Sequence, residues 1–313
     1  MKSKVLVPGD TIGIVAPASP PRSEERIERS VRYFERLGYR VELGKHLRDG
    51  MEQPSYLSAR DEHRLADLHA MFKNKAIRAI FYHRGGFGSL RLLDKVDYNL
   101  IRQNPKILVG YSDATALFAA LYKKAVLRSM FFGPMPGVDL WDEVDPITEE
   151  YFWRAMTTSR SFEFGDVAIT RSTRRTQTIE GKLIGGNLTV FCSLMGTPFQ
   201  PSFRGIVPIF EDIDEKPRRV DACLAQLRLA GAFTDAKAIL LGHFTNCNSD
   251  PESPTRSLDE ILNEYFLKTK VPILRNIPFG HEKRMWTLPY GGTLRITIKS
   301  ESAHMALARS PLE

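Results

Sequence analysis

The stretch "KILVGYSDATALFAAL", residues 106–121, decides the fold class. Ile107, Leu108 and Val109 make a short unbroken apolar run, as a strand covered on both faces does, and Ala114, Leu117, Phe118 and Leu121 fall at helical spacing. A strand that passes directly into a helix is the repeating unit of α/β folds. Ser112 sits at the junction and has two readings. Ser and Asp are preferred N-cap residues, so Ser112-Asp113 reads as an ordinary helix start. "GYSDA" is also close to the nucleophile-elbow pattern GxSxG, with Ala114 in place of the last glycine. From these residues alone the cap is the commoner outcome.

The same alternation extends outward. Thr11–Ala16 reads as a buried strand, followed by a helix capped by Ser23 with Ile27, Val31, Phe34 and Leu37 on one face and Gly38 as its stop. Tyr39–Leu43 is the next strand. Ser58 is a candidate cap for a helix through Leu65, Leu68 and Phe72, and "IRAIFY" at 77–82 is a third strand that leads into "HRGGFGS". Residues 1–140 therefore read as an α/β domain with a mostly parallel sheet. Residues 141–176 lose the rhythm, hold one short amphipathic helix and end in the polar, basic "TRSTRRTQT", so they read as a linker. Residues 177–313 resume with strands at "GIVPIF" and "AKAILLGHF", a helix at 217–229 and an alternating strand "TLRITIK". Pro208 inside "GIVPIF" predicts an edge strand or a bulge.

Composition narrows the function classes. The 313 residues are 42% hydrophobic and 26% charged, with no apolar run near the roughly 20 residues that span a bilayer, so no membrane role is expected. The N-terminal apolar stretch is broken by Gly9, Asp10 and Gly13 and alternates like a strand, which argues against a signal peptide. Cys192, Cys223 and Cys247 are odd in number and have no CxxC spacing, so neither a disulfide framework nor a metal site is read, and a cytoplasmic location is expected. The net charge of +7 is spread among acidic residues, as in "RSEERIERSVRYFERLG", which favours a solvated surface over a nucleic-acid footprint.

Ligands of open α/β sheets collect beyond the carboxyl ends of the strands, where "HRGGFGS" and "GYSDAT" both fall. The glycine turn lacks both GxGxxG and GxxxxGK[ST] spacing, so no nucleotide cofactor is expected; its other use is to bring backbone amides close to a reacting oxygen. A serine nucleophile needs a base. Of the seven histidines, His46, His63 and His69 have charged neighbours and read as solvated, and His304 is near the tail. His83, His243 and His281 stay level on chemistry alone. Glu211, Asp212, Asp214 and Glu215 follow a strand, and one carboxylate at a strand end could orient an imidazole as in Ser-His-acid triads.

In chain order, "GDTIGIVAPASP", "RGGFGSLRLL", "VGYSDATAL", "FFGPM", "GKLIGGNLTVFCSLMGTP", "FEDIDEKPRRVDACLAQL" and "FGHE" make the sequence resemble the LD-carboxypeptidase family, which includes muramoyltetrapeptide carboxypeptidases and microcin C immunity-type enzymes. The resemblance covers nearly the whole chain. It implies a flavodoxin-like N-terminal domain with the nucleophile and a C-terminal mixed α/β domain, with a barrel-like sheet, that supplies the other two triad residues. By motif match the triad is Ser112, Glu211 and His281, with the backbone amides of Gly86 and Asp113 as oxyanion donors. Arg84 is the candidate for the substrate carboxylate, with Gly85, Asn187, Trp153 and Trp286 as further lining residues and core packing the alternative for either Trp. Phe87 and Pro208 depart from the family's usual Tyr and aliphatic residue. The expected activity is hydrolysis of the L,D-bond that frees terminal D-Ala from murein tetrapeptides, by a homodimer that uses no cofactor or metal. The alternatives are an immunity-type hydrolase of peptidyl or aspartyl nucleotides and a non-catalytic binder of anions or peptides.

Overall fold

The computed structural model describes residues 3–52, 55–171, 176–248, 256–267, 269–299 and 302–313. The chain forms two compact units: Met1–Ser159 with Lys283–Tyr290 and Pro311–Glu313, and Arg160–Glu282 with Gly291–Ser310.

In the first unit β1 (Thr11–Val15), β2 (Arg40–Leu43), β3 (Ile77–Tyr82), β4 (Ile107–Val109) and β5 (Met130–Phe132) lie parallel in the order 2-1-3-4-5. This is the flavodoxin-like order, whose ligand crevice lies beyond β1 and β3, where the winding direction reverses. The helices are α1 (Glu24–Arg36), α2 (Asp49–Glu52), α3 (Asp61–Lys73), α4 (Tyr98–Gln103), α5 (Ala114–Ala120) and α6 (Pro146–Thr157). Ser23 caps α1 by accepting from the Arg26 amide, Glu24 and Glu25 complement its positive end, and Gly38 lies just past its end at φ +85°. Leu37 is exposed, and Tyr33 takes the inward place with Ile27 and Phe34. All seven residues of α5 are buried, which is why its sequence has no polar face.

Two expectations are corrected. Ser58 caps no helix: its hydroxyl donates to the Ala16 carbonyl at the end of β1, and α3 begins at Asp61, after Arg60. The turn contact draws the hydroxyl away, and the Asp61 carboxylate holds the helix start by accepting from Arg64, Arg91 and Lys95. The region after residue 176 is also not one continuous piece. Leu288–Tyr290 runs antiparallel to β5 and completes a six-stranded sheet in the first unit.

The stretch read as a linker holds α6, started by Asp145 and Pro146 at its N-terminus, and β6 (Glu163–Arg171); residues 172–175 lie outside the described residues. The second unit continues with β7 (Thr176–Asn187), α7 (Leu188–Cys192), β8 (Ile206–Ile213), α8 (Pro217–Leu229), β9 (Ile239–Thr245), α9 (Leu258–Phe266) and β10 (Ile273–Leu274). After β11 (Leu288–Tyr290), β12 (Thr293–Lys299) and β13 (Ser302–Arg309) return to it, and the order 10-6-13-12-7-8-9 closes into a barrel. β8 is paired on both sides, so Pro208 is not on an edge; its β9 partners begin one residue later, at Ile209. The register shifts between Phe210 and Asp212, which places the irregularity at Glu211.

Candidate active site

In the first unit the chain leaves β4 through Gly110 and Tyr111 and turns at Ser112, whose φ is +60°. A non-glycine residue in left-handed backbone is uncommon, and such strain collects at functional turns. The conformation ends the cap reading: the N-cap of α5 is Asp113, and its side chain makes no cap bond. Instead the Asp113 carboxylate, 2% exposed, accepts from the backbone amides of Gly88 and Ser89 at 3.3 and 2.8 Å. Burial pushes its carboxyl above the usual range, against those amide bonds.

The glycine turn is fitted to this elbow. A Cβ on Gly85 would lie 2.9 Å from Ser112 Cβ and 3.1 Å from its Oγ, and one on Gly86, at φ +107°, would lie 2.2 Å from Ser19 Oγ. Ser19, which the sequence reading did not single out, donates its hydroxyl to the Tyr56 carbonyl at 2.8 Å and accepts the Phe87 amide at 3.1 Å. Its own amide donates to the Gly85 carbonyl at 3.3 Å. Its signal was only a turn serine at the end of β1, in "APASP". Arg84 is half-buried, donates to the Pro20 carbonyl at 3.2 Å and has its pKa lowered by burial, with Arg22 and Arg26 nearby. A basic group at this place can receive a carboxylate.

In the second unit Glu211 has no exposed surface, and its Oε2 lies 2.7 Å from Nδ1 of His281. Two glycines leave room for the carboxylate: a Cβ on Gly242 would be 3.2 Å from Glu211 Cβ, and one on Gly280, at φ +127°, 3.0 Å from Oε2. Burial raises the Glu211 pKa, and the His281 bond opposes it. A buried carboxylate on Nδ1 fixes the ring and its tautomer, leaving Nε2 to act as a base.

The structure separates the three histidines left level by chemistry. His83 is fully buried against Gly137, neither ring nitrogen has a hydrogen-bond partner, and burial pushes its pKa down to about 3. His243 lies in β9 at the register shift, its amide donating to the Phe279 carbonyl. His281 alone of the three carries the carboxylate bond. Asn187 is the register partner of Glu211, caps α7 through the Val190 amide and donates to Asp212 at 2.8 Å. Trp153 stacks on Tyr39 at 5.1 Å and donates to the Tyr33 hydroxyl, inside an aromatic cluster with Phe34 and Phe152. Trp286 is 7% exposed and packs on Tyr151, within the first unit.

A flavodoxin-like unit with a strained serine turn and a barrel unit with a buried Glu-His pair define a two-unit α/β protein. The sequence pattern of the LD-carboxypeptidase N-terminal domain matches residues 12–133 and that of the C-terminal domain residues 180–296, so the chain belongs to the LD-carboxypeptidase family. It is 36% identical to the "Probable murein peptide carboxypeptidase" of Bacillus subtilis, over 96% of this chain and 93% of that protein. The muramoyltetrapeptide carboxypeptidase of Oxalobacter formigenes has a similar structure, with a TM-score of 0.85 at 27% identity, covering 96% of this chain and 99% of that one. A structure of MccF in complex with glutamyl sulfamoyl guanosine matches with a TM-score of 0.88 at 26% identity, covering 100% and 99%. No helix among the described residues is long and apolar enough to cross a membrane.

Proposed function

We propose that the protein is a serine LD-carboxypeptidase that cuts the L,D-peptide bond of murein tetrapeptides and frees terminal D-Ala, in cytoplasmic peptidoglycan recycling. The observation that carries the reading is the 2.7 Å bond between His281 and the wholly buried Glu211, the arrangement that makes an imidazole a directed base. The left-handed turn at Ser112 and the murein peptide carboxypeptidases among the relatives support it.

In this mechanism Nε2 of His281 takes the Ser112 proton as Oγ attacks the scissile carbonyl. The amides of Gly86 and Asp113 hold the oxyanion, and Arg84 pairs with the free carboxylate of the substrate. His281 then gives the proton to the leaving amine of D-Ala. Water, deprotonated by the same ring, attacks the acyl-serine and restores the hydroxyl. Gly85, Asn187, Trp153 and Trp286 are assigned less directly: Gly85 through its closeness to Ser112, Asn187 through its register with Glu211, and the two Trp only as aromatic packing of the first unit, against Tyr39 and Tyr151.

Incubation with murein tetrapeptide should release D-Ala, and Ser112→Ala should abolish release while preserving the circular dichroism spectrum; undiminished turnover by the variant refutes the assignment. The similarity to MccF supports a second reading, hydrolysis of peptidyl or aspartyl nucleotides. Parallel assays with murein tetrapeptide and an aspartyl nucleotide decide between them. Light scattering during the same assays tests whether the active species is a homodimer.

A further inference from the structure

His46, Asp49 and His63 stand apart from the residues assigned above. They belong to the first unit: His46 follows β2, Asp49 opens α2, and His63 is in the first turn of α3. Read from sequence, the two histidines were surface residues with charged neighbours. In the structure each points the same ring atom at one oxygen: Asp49 Oδ2 lies 2.9 Å from Nδ1 of His46 and 3.0 Å from Nδ1 of His63. The rings stack with centroids 3.9 Å apart and planes 22° from parallel. The three donor atoms all lie within 4.8 Å of one another.

We propose that His46, Asp49 and His63 bind one divalent transition-metal ion, Zn²⁺ or a similar borderline cation, through two imidazole nitrogens and a carboxylate oxygen. Neutral imidazole and carboxylate are the donors such ions take, and three protein ligands leave room for water in the shell. In a tetrahedral shell with metal–ligand bonds of about 2.0–2.2 Å, neighbouring ligand atoms sit about 3.4 Å apart, so the two measured edges of 2.9 and 3.0 Å need open by only about half an ångström. All three side chains are partly open, and Asp49 and His63 line a cleft of about 470 Å³ that admits an ion and its waters.

The surrounding backbone holds the donors in place. The His46 amide donates to Asp67 Oδ2 at 2.9 Å, and the Gly50 amide donates to the Ser58 carbonyl at 2.5 Å. A Cβ on Gly50 would lie 2.5 Å from the Leu57 carbonyl oxygen, so α2 is pressed against the chain that leads to His63. His304 shows what a histidine in ordinary ion pairs looks like here: Nδ1 faces Asp166 and Nε2 faces Glu163, two carboxylates on opposite sides of the ring. Its partners do not converge on one point.

Without metal, each Nδ1 carries a hydrogen that the carboxylate accepts. Loading shifts each ring proton to Nε2 and replaces two N–H···O bonds with two nitrogen–metal bonds, so no oxidant or co-reactant is required. The test uses the full-length, tag-free, chelator-treated protein with Co²⁺ or Zn²⁺ as the probe. One equivalent should bind with micromolar or tighter affinity, Co²⁺ should develop visible d–d bands, and nitrogen-15 NMR should show both histidines changing from the Nδ1–H to the Nε2–H form on Zn²⁺ addition. Asp49→Asn and His63→Gln should each weaken binding at least tenfold, while His304→Gln should leave it unchanged. Binding only at millimolar metal, equal binding by the Asp49 and His63 variants, or unchanged tautomers at saturation would overturn the site. Should Asp49→Asn not fold, His63→Gln and the tautomer measurement still decide.

Discussion

Nδ1 of His281 and Oε2 of Glu211 are 2.7 Å apart in the barrel unit, and the carboxylate has no contact with solvent. Its burial raises the carboxyl pKa above the ordinary 4.5, so ionising it costs the folded state free energy. A group with a raised folded pKa contributes its full stability below the unfolded value and loses that contribution as pH rises through the folded value. Gln does not titrate and can still accept from Nδ1–H. Glu211→Gln should therefore show a constant stability offset from wild type below pH 4.5, gain on wild type as pH rises from there through the folded value, and hold that gain above it. D-Ala release should fall by about 10⁴-fold, because a neutral amide neither enforces the tautomer nor stabilises the imidazolium. Calorimetric scans across this range and a turnover assay check both halves; a variant that gains nothing on wild type between pH 4.5 and pH 8 contradicts the account.

Gly85 is required by proximity rather than by backbone angle. Its φ is outside the left-handed region, unlike that of Gly86, so alanine is conformationally allowed there. Its Cβ would nonetheless press on Ser112 Cβ at 2.9 Å. Gly85→Ala should cut kcat about a hundredfold through misplacement of Oγ, with KM and the melting temperature little changed. Steady-state kinetics with murein tetrapeptide would show it, and an unchanged kcat would separate the serine from the chemistry.

Much of the fold was legible because local and global signals agreed. The strand–helix alternation gave the parallel sheet, and the helix 217–229 and the strand 293–299 were read with the bounds they have in the structure. The misses came where a tertiary contact overrode a local preference. Ser112 reads as a cap, yet its backbone turns left-handed and Asp113 takes the cap position with its carboxylate committed to the glycine turn. Leu288–Tyr290 is too short to announce which sheet it joins. The proposed triad comes from the family motifs, since spacing alone could not rank His83, His243 and His281. The carboxylate bond does separate them, since His281 has Glu211 beside its Nδ1 and His83 is shut into apolar packing, and both follow from what the fold brings to each ring.

Ser19 and Asp113 hold the same turn from two sides, through the Phe87 amide and the Gly88 and Ser89 amides. Ser19→Ala leaves Phe87 N–H without its acceptor, and Asp113→Asn presents an NH₂ to a backbone N–H. Each loss is worth about 1–2 kcal/mol, or roughly tenfold in kcat if the turn positions the oxyanion amide. The double variant should lose less than the product of the two, because a turn already loosened has less to lose. Kinetics on the two single variants and the double variant test this; strict multiplicativity would mean that the two residues act on separate features.

Lys106 marks the opposite end of β4 from Ser112, and it gives the first unit a predicted alkaline stability signature. It is 6% exposed, its Nζ donates to the carbonyls of Asn74 and Ile77 at 2.7 and 2.6 Å, and burial lowers its pKa from 10.5 to about 8. For a depressed pKa the stabilising contribution is complete above the unfolded value and disappears as pH falls through the folded one. Relative to Lys106→Met, wild type should therefore gain stability between pH 8 and pH 10.5 and show a constant difference below pH 8. The gain should be on the order of 1–3 kcal/mol, from about 1.4 kcal/mol per pKa unit reduced by partial hydration of the ammonium. Loss of the two Nζ bonds in the Met variant adds a cost that does not depend on pH, so the slope rather than the offset carries the test. Urea unfolding of both proteins at pH 7, 8, 9 and 10 measures that slope, and parallel stability curves would show that the Lys106 ammonium is not held at a depressed pKa.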